Sequence, residues 1–287
     1  MREKDSDIMY EGLCCCNKAA GLCLCSISSG SSGNCYLVRS ATTAILVDAG
    51  ISGKKVLNGI SKAGTEPEEI KGLLITHEHV DHIKSVKVLT KKLPNMKVFS
   101  NAHTWEFLED AVPVERGCIF RTGEAFSIGD IEVMTFHVSH DAAEPVGYSF
   151  RSGSSQISIV TDTGCVTDEI YNEIRYADLL VLEANHEEGL VHMCRYPYQI
   201  KRRILSKLGH LSNAAAGELL CRVMQETKRS RPLQVLLAHL SSENNTPALA
   251  RMTVKNILEE HNYREGRDIE IDVLVKDAVS DVYETGE

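Results

Sequence analysis

The chain has 287 residues, of which 43% are hydrophobic and 25% charged, the proportions of a globular protein rather than a disordered or fibrous one. A net charge of −9 argues against broad adhesion to polyanions, and no uncharged apolar run approaches the ~20 residues of a membrane helix. Ten cysteines, with no apolar leader after MREKDSD, imply thiols kept reduced in a cytoplasmic protein.

Residues 1–20 hold Cys14, Cys15 and Cys16 and read as a cysteine-rich, flexible extension. With Cys23 and Cys25 they lack the Cys-x-x-Cys spacing of a zinc ribbon. From 21 to 287 the pattern is regular and has no Pro/Gly/Ser-rich linker, so it reads as one domain. Strands are expected at Leu22–Ile27, Cys35–Val38 and Ala44–Val47, the last running into Asp48-Ala49-Gly50. Thr65 and Glu68 form a capping-box pattern before a short helical turn, and Leu73–Thr76 reads as a buried strand. A histidine cluster follows, then a helix to about Lys92, a strand at Lys97–Phe99 and a helix around Trp105. Strands at Ile131–Val138, Val146–Phe150, Ile157–Thr161, Leu179–Glu183, Leu233–Ala238 and Ile269–Val275 complete the pattern. The later strands alternate with helices near Ile200, from Asn213 to about Gln225, and after Thr246-Pro247, a good N-cap with proline behind it. Hairpin-like runs giving way to strand–helix alternation, twice over, predict an α/β fold of two similar halves, with two sheets packed together and helices outside.

The histidine cluster, THEHVDH at 76–82, carries the chemistry. His77 and His79 are two apart, so at a strand end they can fall on one side, and Asp81 and His82 follow in the same tight turn. Imidazole mixed with carboxylate suits zinc, iron or manganese at two adjacent sites. The spacing is not that of the zincin motif, which would need a histidine where Asp81 stands.

His-x-His-x-Asp-His after a buried strand resembles the signature of the metallo-β-lactamase fold, an αββα sandwich of two mixed β-sheets with helices on both outer faces. The resemblance asks for a further His, an Asp and a final His, each after a strand. His140 follows IEVMTFHV, Asp162 follows QISIVT and His239 follows LQVLLA, and Asp48 matches the aspartate that stands behind the ligands. It implies one divalent ion on His77, His79 and His140, a second on Asp81, His82 and His239, and Asp162 bridging them. Asp81 is also counted with the catalytic groups. His137 rivals His140, but Met134, Phe136 and Val138 share the parity of His140 and are expected to face the core. His103, His192 and His261 have no motif around them.

Fold alone does not select among lactamases, glyoxalases, flavodiiron proteins and nucleases. The stretches LLVLEANHE and GHLSN resemble those of tRNA-processing-type nucleases of this fold, which implies that Glu183 orients His210 and that His210 protonates the leaving oxygen. A phosphodiester needs such an acid because an alkoxide leaves poorly. SISSGSSGNCYLV, LVDAGISGKK, THEHVDHI, SHDAAEPVGYSF, EANHE, GHLSN and LAHLSSENNTP together resemble the YycJ/WalJ (VicX) family of metal-dependent DNA exonucleases. The cysteine-rich extension lies outside that pattern. The expectation is a dinuclear phosphodiesterase with Zn2+ or Mn2+ (iron is also compatible), acting on DNA through a water shared by the ions. Ser31, Ser32 and Asn34, in GSSGN, are candidate phosphate contacts, though a simple turn reads equally well. No membrane contact is expected, and a homodimer is allowed. Two alternatives stay open: a thioester or small-phosphodiester hydrolase on the same site, and a regulatory protein tied to two-component signalling.

Overall fold

The computed structural model of the protein describes residues 21–286; the readings placed on residues 1–20 lie outside them. Several strand segments are apolar at nearly every position, AILV and LLVLE among them, which fits strands covered on both faces. Two seven-stranded sheets result among the described residues. The first contains β1 (Cys23–Ser28), β2 (Cys35–Arg39), β3 (Ala44–Val47), β4 (Ile70–Leu74), β5 (Lys97–Asn101) and β6 (Gly117–Phe120). The second contains β7 (Ala125–Ile128), β8 (Ile131–His137), β9 (Val146–Ser152), β10 (Ser155–Val160), β11 (Leu179–Glu183), β12 (Leu233–Ala238) and β13 (Ile269–Val273). The chain then returns to the first sheet as β14 (Val282–Glu284), antiparallel to β1. In each sheet an antiparallel run turns into a parallel one, at β3–β4 and at β10–β11, so the two halves repeat one plan.

Three apolar layers hold the sandwich. Tyr36, Val47, Leu74, Tyr148, Ile159 and Val181 meet between the sheets. Leu46 and Leu73 turn to the other side, under Val56 and Ile60 of α1 (Gly53–Lys62) and Leu89 of the third helix. Val160, Leu180 and Val235 pack under the helices of the second half. This is the expected αββα sandwich, with helices on both outer faces.

Several local expectations need correction. The helix after the histidine cluster is two pieces, α2 (Val80–Ile83) and α3 (Val86–Lys92). Ser85 breaks it because both its N–H (2.9 Å) and its hydroxyl (3.0 Å) donate to the Ala49 carbonyl, which competes with the helical pattern. The capping pair is Glu66 and Glu69 rather than Thr65 and Glu68. Pro67 holds the residue before it extended, and the Glu66 N–H donates to the Glu69 carboxylate at 2.6 Å. Strands β6 and β7 were not expected: each is short, only half-buried and at a sheet edge. In β8, Ile131 and Val133 face the other sheet, whereas Phe136 and Val138 face the helices and Met134 is only half-buried. The remaining helices are α4 (Ala102–Trp105), α5 (Asp168–Ile174), α6 (Glu188–Met193), α7 (Tyr198–Ile204), α8 (Asn213–Glu226) and α9 (Pro247–Glu260). Thr246 caps α9 as expected, its hydroxyl accepting the Leu249 N–H at 3.2 Å. No described helix is long and apolar enough to cross a membrane.

Candidate metal centre

The site lies where strands of both sheets end. Asp48 follows β3, His77, His79, Asp81 and His82 follow β4, and His140 follows β8. Asp162 follows β10, Glu183 is the last residue of β11, and His239 follows β12. Carboxyl ends of parallel strands, where strand direction changes, are where open α/β sheets form crevices. Asp48, Asp162 and His239 adopt left-handed backbone conformations, with φ of 60°, 57° and 56°. These turns aim the three side chains inward. The 77–82 loop is locked from behind: the Asn34 N–H donates to the Asp81 carbonyl (2.9 Å) and the Ala49 N–H to that of His82 (2.6 Å). Gly50 is required there, because a Cβ on it would lie 1.5 Å from the Asp81 carbonyl oxygen.

Four imidazoles have Nδ1 tied to a partner, which leaves Nε2 for the centre. His82 Nδ1 lies 2.7 Å from Asp48 Oδ2, and His239 Nδ1 lies 2.8 Å from Glu183 Oε1. His140 Nδ1 donates to the Gly209 carbonyl at 3.0 Å. His77 Nδ1 is 3.0 Å from the Thr76 hydroxyl, which itself donates to Asp48 at 2.9 Å. Fixing one ring nitrogen in this way sets the tautomer and orientation that metal ligation needs. His79 is the exception and presents Nδ1, 3.0 Å from His77 Nε2.

Donor atoms of His77, His79 and His140 gather within 4.8 Å of one another, as do those of Asp81, His82 and His239. Asp162 lies between the trios: Oδ2 is 3.5 Å from His82 Nε2, and Oδ1 is 3.8 Å from His140 Nε2 and 3.5 Å from His239 Nδ1. The charge balance calls for a cation. Burial acts to discharge His82 and His239, yet the carboxylates outweigh it: Asp48 and Asp162 raise His82 to about 10, and Asp162 and Glu183 raise His239 to about 9. Burial, helped by the neighbouring imidazoles, instead pushes His77 well below the usual histidine range. His77 Nε2 and His79 Nδ1, 3.0 Å apart, either share a proton in a hydrogen bond or hold a common cation. Asp162 Oδ2 and His239 Nε2 are buried with no hydrogen-bond partner, and buried polar atoms are rarely left so. The donor set therefore fits divalent metal ions.

Glu183 does more than the sequence indicated. Its Oε1 is 2.8 Å from both His210 Nδ1 and His239 Nδ1, and its Oε2 accepts the N–H groups of Thr163 (2.8 Å) and Leu211 (3.2 Å). Burial would raise its pKa, but His210 and His239 lower it to about 2. One carboxylate thus joins His210 to a candidate ligand. His210, partly exposed at 16% of its side chain, stands at the mouth.

Of the GSSGN loop, Ser31 and Ser32 are exposed, whereas Asn34 is buried. Asn34 braces the loop: its Oδ1 accepts the Gly30 N–H at 3.0 Å, and its Nδ2 lies 3.3 Å from His82 Nε2. His137 is exposed and pairs with Glu169 at 3.1 Å, outside the cluster. His103, His192 and His261 lie on the surface. Thr76 and the Gly209 carbonyl were not anticipated; Thr76 could have been found as the hydroxyl leading the histidine motif, the carbonyl by no side-chain signal.

A family model described as the beta-lactamase superfamily domain matches residues 43–231. Exodeoxyribonuclease YycJ of Bacillus anthracis is 41% identical over 255 residues, which cover 88% of this chain and 94% of that protein. Exodeoxyribonuclease WalJ of Streptococcus pneumoniae serotype 2 is 38% identical over 250 residues, covering 85% and 91%. Among solved structures, the metallo-beta-lactamase fold protein YhfI from Bacillus subtilis superposes with a TM-score of 0.69 over 92% of this chain and 99% of that one. At 16% identity it is a likeness of fold alone.

Proposed function

Since the chain belongs to the beta-lactamase superfamily and, within it, to the family of the YycJ and WalJ exodeoxyribonucleases, we propose that it is a metal-dependent DNA exonuclease of the cytoplasm. His77, His79 and His140 would hold one divalent ion and Asp81, His82 and His239 a second, with Asp162 between them and zinc or manganese the natural occupants of such a donor set. Bound there, the pair would acidify a water and neutralise the attacked phosphate. The protein's own contribution is the proton. Glu183 takes the Nδ1–H of His210 at 2.8 Å, and the doubly protonated ring would give its Nε2 proton to the departing oxygen. This contact carries the reading, because a thioester, whose thiolate departs readily, does not require such an acid at the mouth.

The test compares leaving groups. His210→Ala should keep its metals and still hydrolyse a bis-nitrophenyl phosphate, whose phenolate departs unaided. On DNA the same variant should lose about 10²-fold or more, the size of a general-acid contribution. Equal losses on both substrates would make His210 a support of the fold or of the metals. No loss on either would return a thioesterase to the front.

A further inference from the structure

From Met193 to Leu208 the chain carries Arg195, Lys201, Arg202, Arg203 and Lys207 and no acidic residue, within a protein of net charge −9. Its apolar side chains are also turned outward: Met193 is 75% exposed, Tyr198 72% and Leu208 54%. Helix α7 at its centre buries no residue at all. Positive charge interleaved with exposed aromatic and apolar groups is not what holds a helix to a core; it suits a partner that offers both phosphates and stacking bases.

The segment is nevertheless fixed, and fixed to the metal centre. Arg203 grips Asp141 through two bonds, Nε to Oδ2 at 2.5 Å and Nη2 to Oδ1 at 2.8 Å, and Asp141 adjoins His140. The Gly209 carbonyl holds the His140 ring. Gly164, two residues past Asp162, packs so closely that a Cβ there would lie 2.4 Å from the Ser206 carbonyl. The segment then runs directly into His210. Tyr198 and Arg202, spaced i, i+4, share one face of α7 and stand about 6 Å apart along its axis at a rise of ~1.5 Å per residue. A base on Tyr198 and a phosphate on Arg202 would then belong to one strand, the pairing of aromatic platform and basic groove that binds single strands.

Resting on the nuclease reading of the metal centre, we propose that residues 193–208 form the clamp for a single-stranded DNA end. In this clamp Tyr198 stacks on a base, and Arg202 and Lys207 neutralise phosphates of the strand whose terminal bond enters the site. The rival basic stretch on α2–α3, with Lys84, Lys87, Lys91 and Lys92, offers no aromatic side chain for stacking.

The experiment uses the full metal-loaded chain with a fluorescein-labelled oligothymidylate, a bis-nitrophenyl phosphate, and phosphatidylglycerol vesicles. Arg202→Gln with Lys207→Gln should lower the log–log salt slope of strand binding by about 1.4, at ~0.7 per phosphate on a single strand. Tyr198→Ala should weaken binding about tenfold, within the range of one stacked base. Both variants should raise KM on DNA, with kcat and small-diester hydrolysis within about twofold of wild type. Unchanged KM and slope would overturn the clamp, as would loss of vesicle binding with DNA binding intact, which would make the segment a lipid-surface contact. A wild-type protein that hydrolyses the small diester but neither binds nor cleaves DNA would instead overturn the nuclease reading beneath it.

Discussion

Replacing Glu183 by glutamine tests whether this carboxylate supports the fold or sets a tautomer. Glu183 accepts four hydrogen bonds, two from the imidazoles of His210 and His239 and two from the backbone N–H groups of Thr163 and Leu211. Glutamine keeps one accepting oxygen and turns the other position into a donor. The backbone N–H groups cannot change character, and orphaning both would cost about 2–6 kcal/mol at 1–3 kcal/mol each. The amide oxygen therefore faces the backbone, and the amide NH2 faces the two imidazoles. His239 can then meet it only by moving its proton from Nδ1 to Nε2, the nitrogen the centre needs bare. Glu183→Gln should accordingly unfold within a few degrees of wild type. It should bind metal about 10–100-fold more weakly, the usual effect of removing a ligand's orienting partner, and should lose DNA cleavage about 10²-fold or more. Elemental analysis across a chelator titration, thermal unfolding and cleavage of end-labelled DNA read the three effects. A large fall in melting temperature with metal affinity unchanged would refute the tautomer argument and make Glu183 a structural acceptor.

Asp162→Ala should abolish hydrolysis and reduce bound metal from about two equivalents, because Asp162 lies between the two histidine-rich trios; unchanged metal content and activity on elemental analysis and assay would remove it from the centre. Gly50→Ala should destabilise by about 3 kcal/mol in urea unfolding and weaken metal binding with it, since the new methyl collides with the backbone of Asp81. A variant that folds and binds normally would show that this loop yields. Deleting residues 1–20 should leave metal content and nuclease activity near wild type, because they precede the first patterned strand; loss of a metal equivalent on deletion would point to an accessory site among Cys14, Cys15 and Cys16.

Much of the site could be read in the sequence because each candidate ligand follows a strand whose apolar run is unmistakable. His77, His79, Asp81 and His82 even sit in one short turn. What could not be read are relations between distant residues. Glu183 was paired with His210, 27 positions away, but its second partner His239 is 56 positions away and shows only when β11 and β12 lie side by side. Asn34 read as a phosphate contact because its neighbours are small and polar; burial behind His82 is a tertiary fact. The break between α2 and α3 depends on the Ala49 carbonyl, which belongs to another loop. Edge strands β6 and β7 escaped for the opposite reason: they are half-exposed, so their hydrophobic pattern is weak.

The three left-handed turns at Asp48, Asp162 and His239 show how fold and site are bound together. Each such backbone in a non-glycine residue costs about 1–3 kcal/mol and persists only where its surroundings over-determine it. Glycine would relieve the strain but delete the side chain, so the strain is retained for what the side chains do. The surroundings that hold the turns cross between sheets. The His239 N–H of the second sheet donates to Ser29 at 3.0 Å, and Ser29 is bonded to Tyr36 of the first at 2.9 Å. The candidate ligands divide the same way, with His77, His79, Asp81 and His82 from the first half and His140, Asp162 and His239 from the second. No half holds both trios alone. Metal binding at this centre would therefore be coupled to the packing of the halves, and ions held there would stabilise the sandwich that positions them.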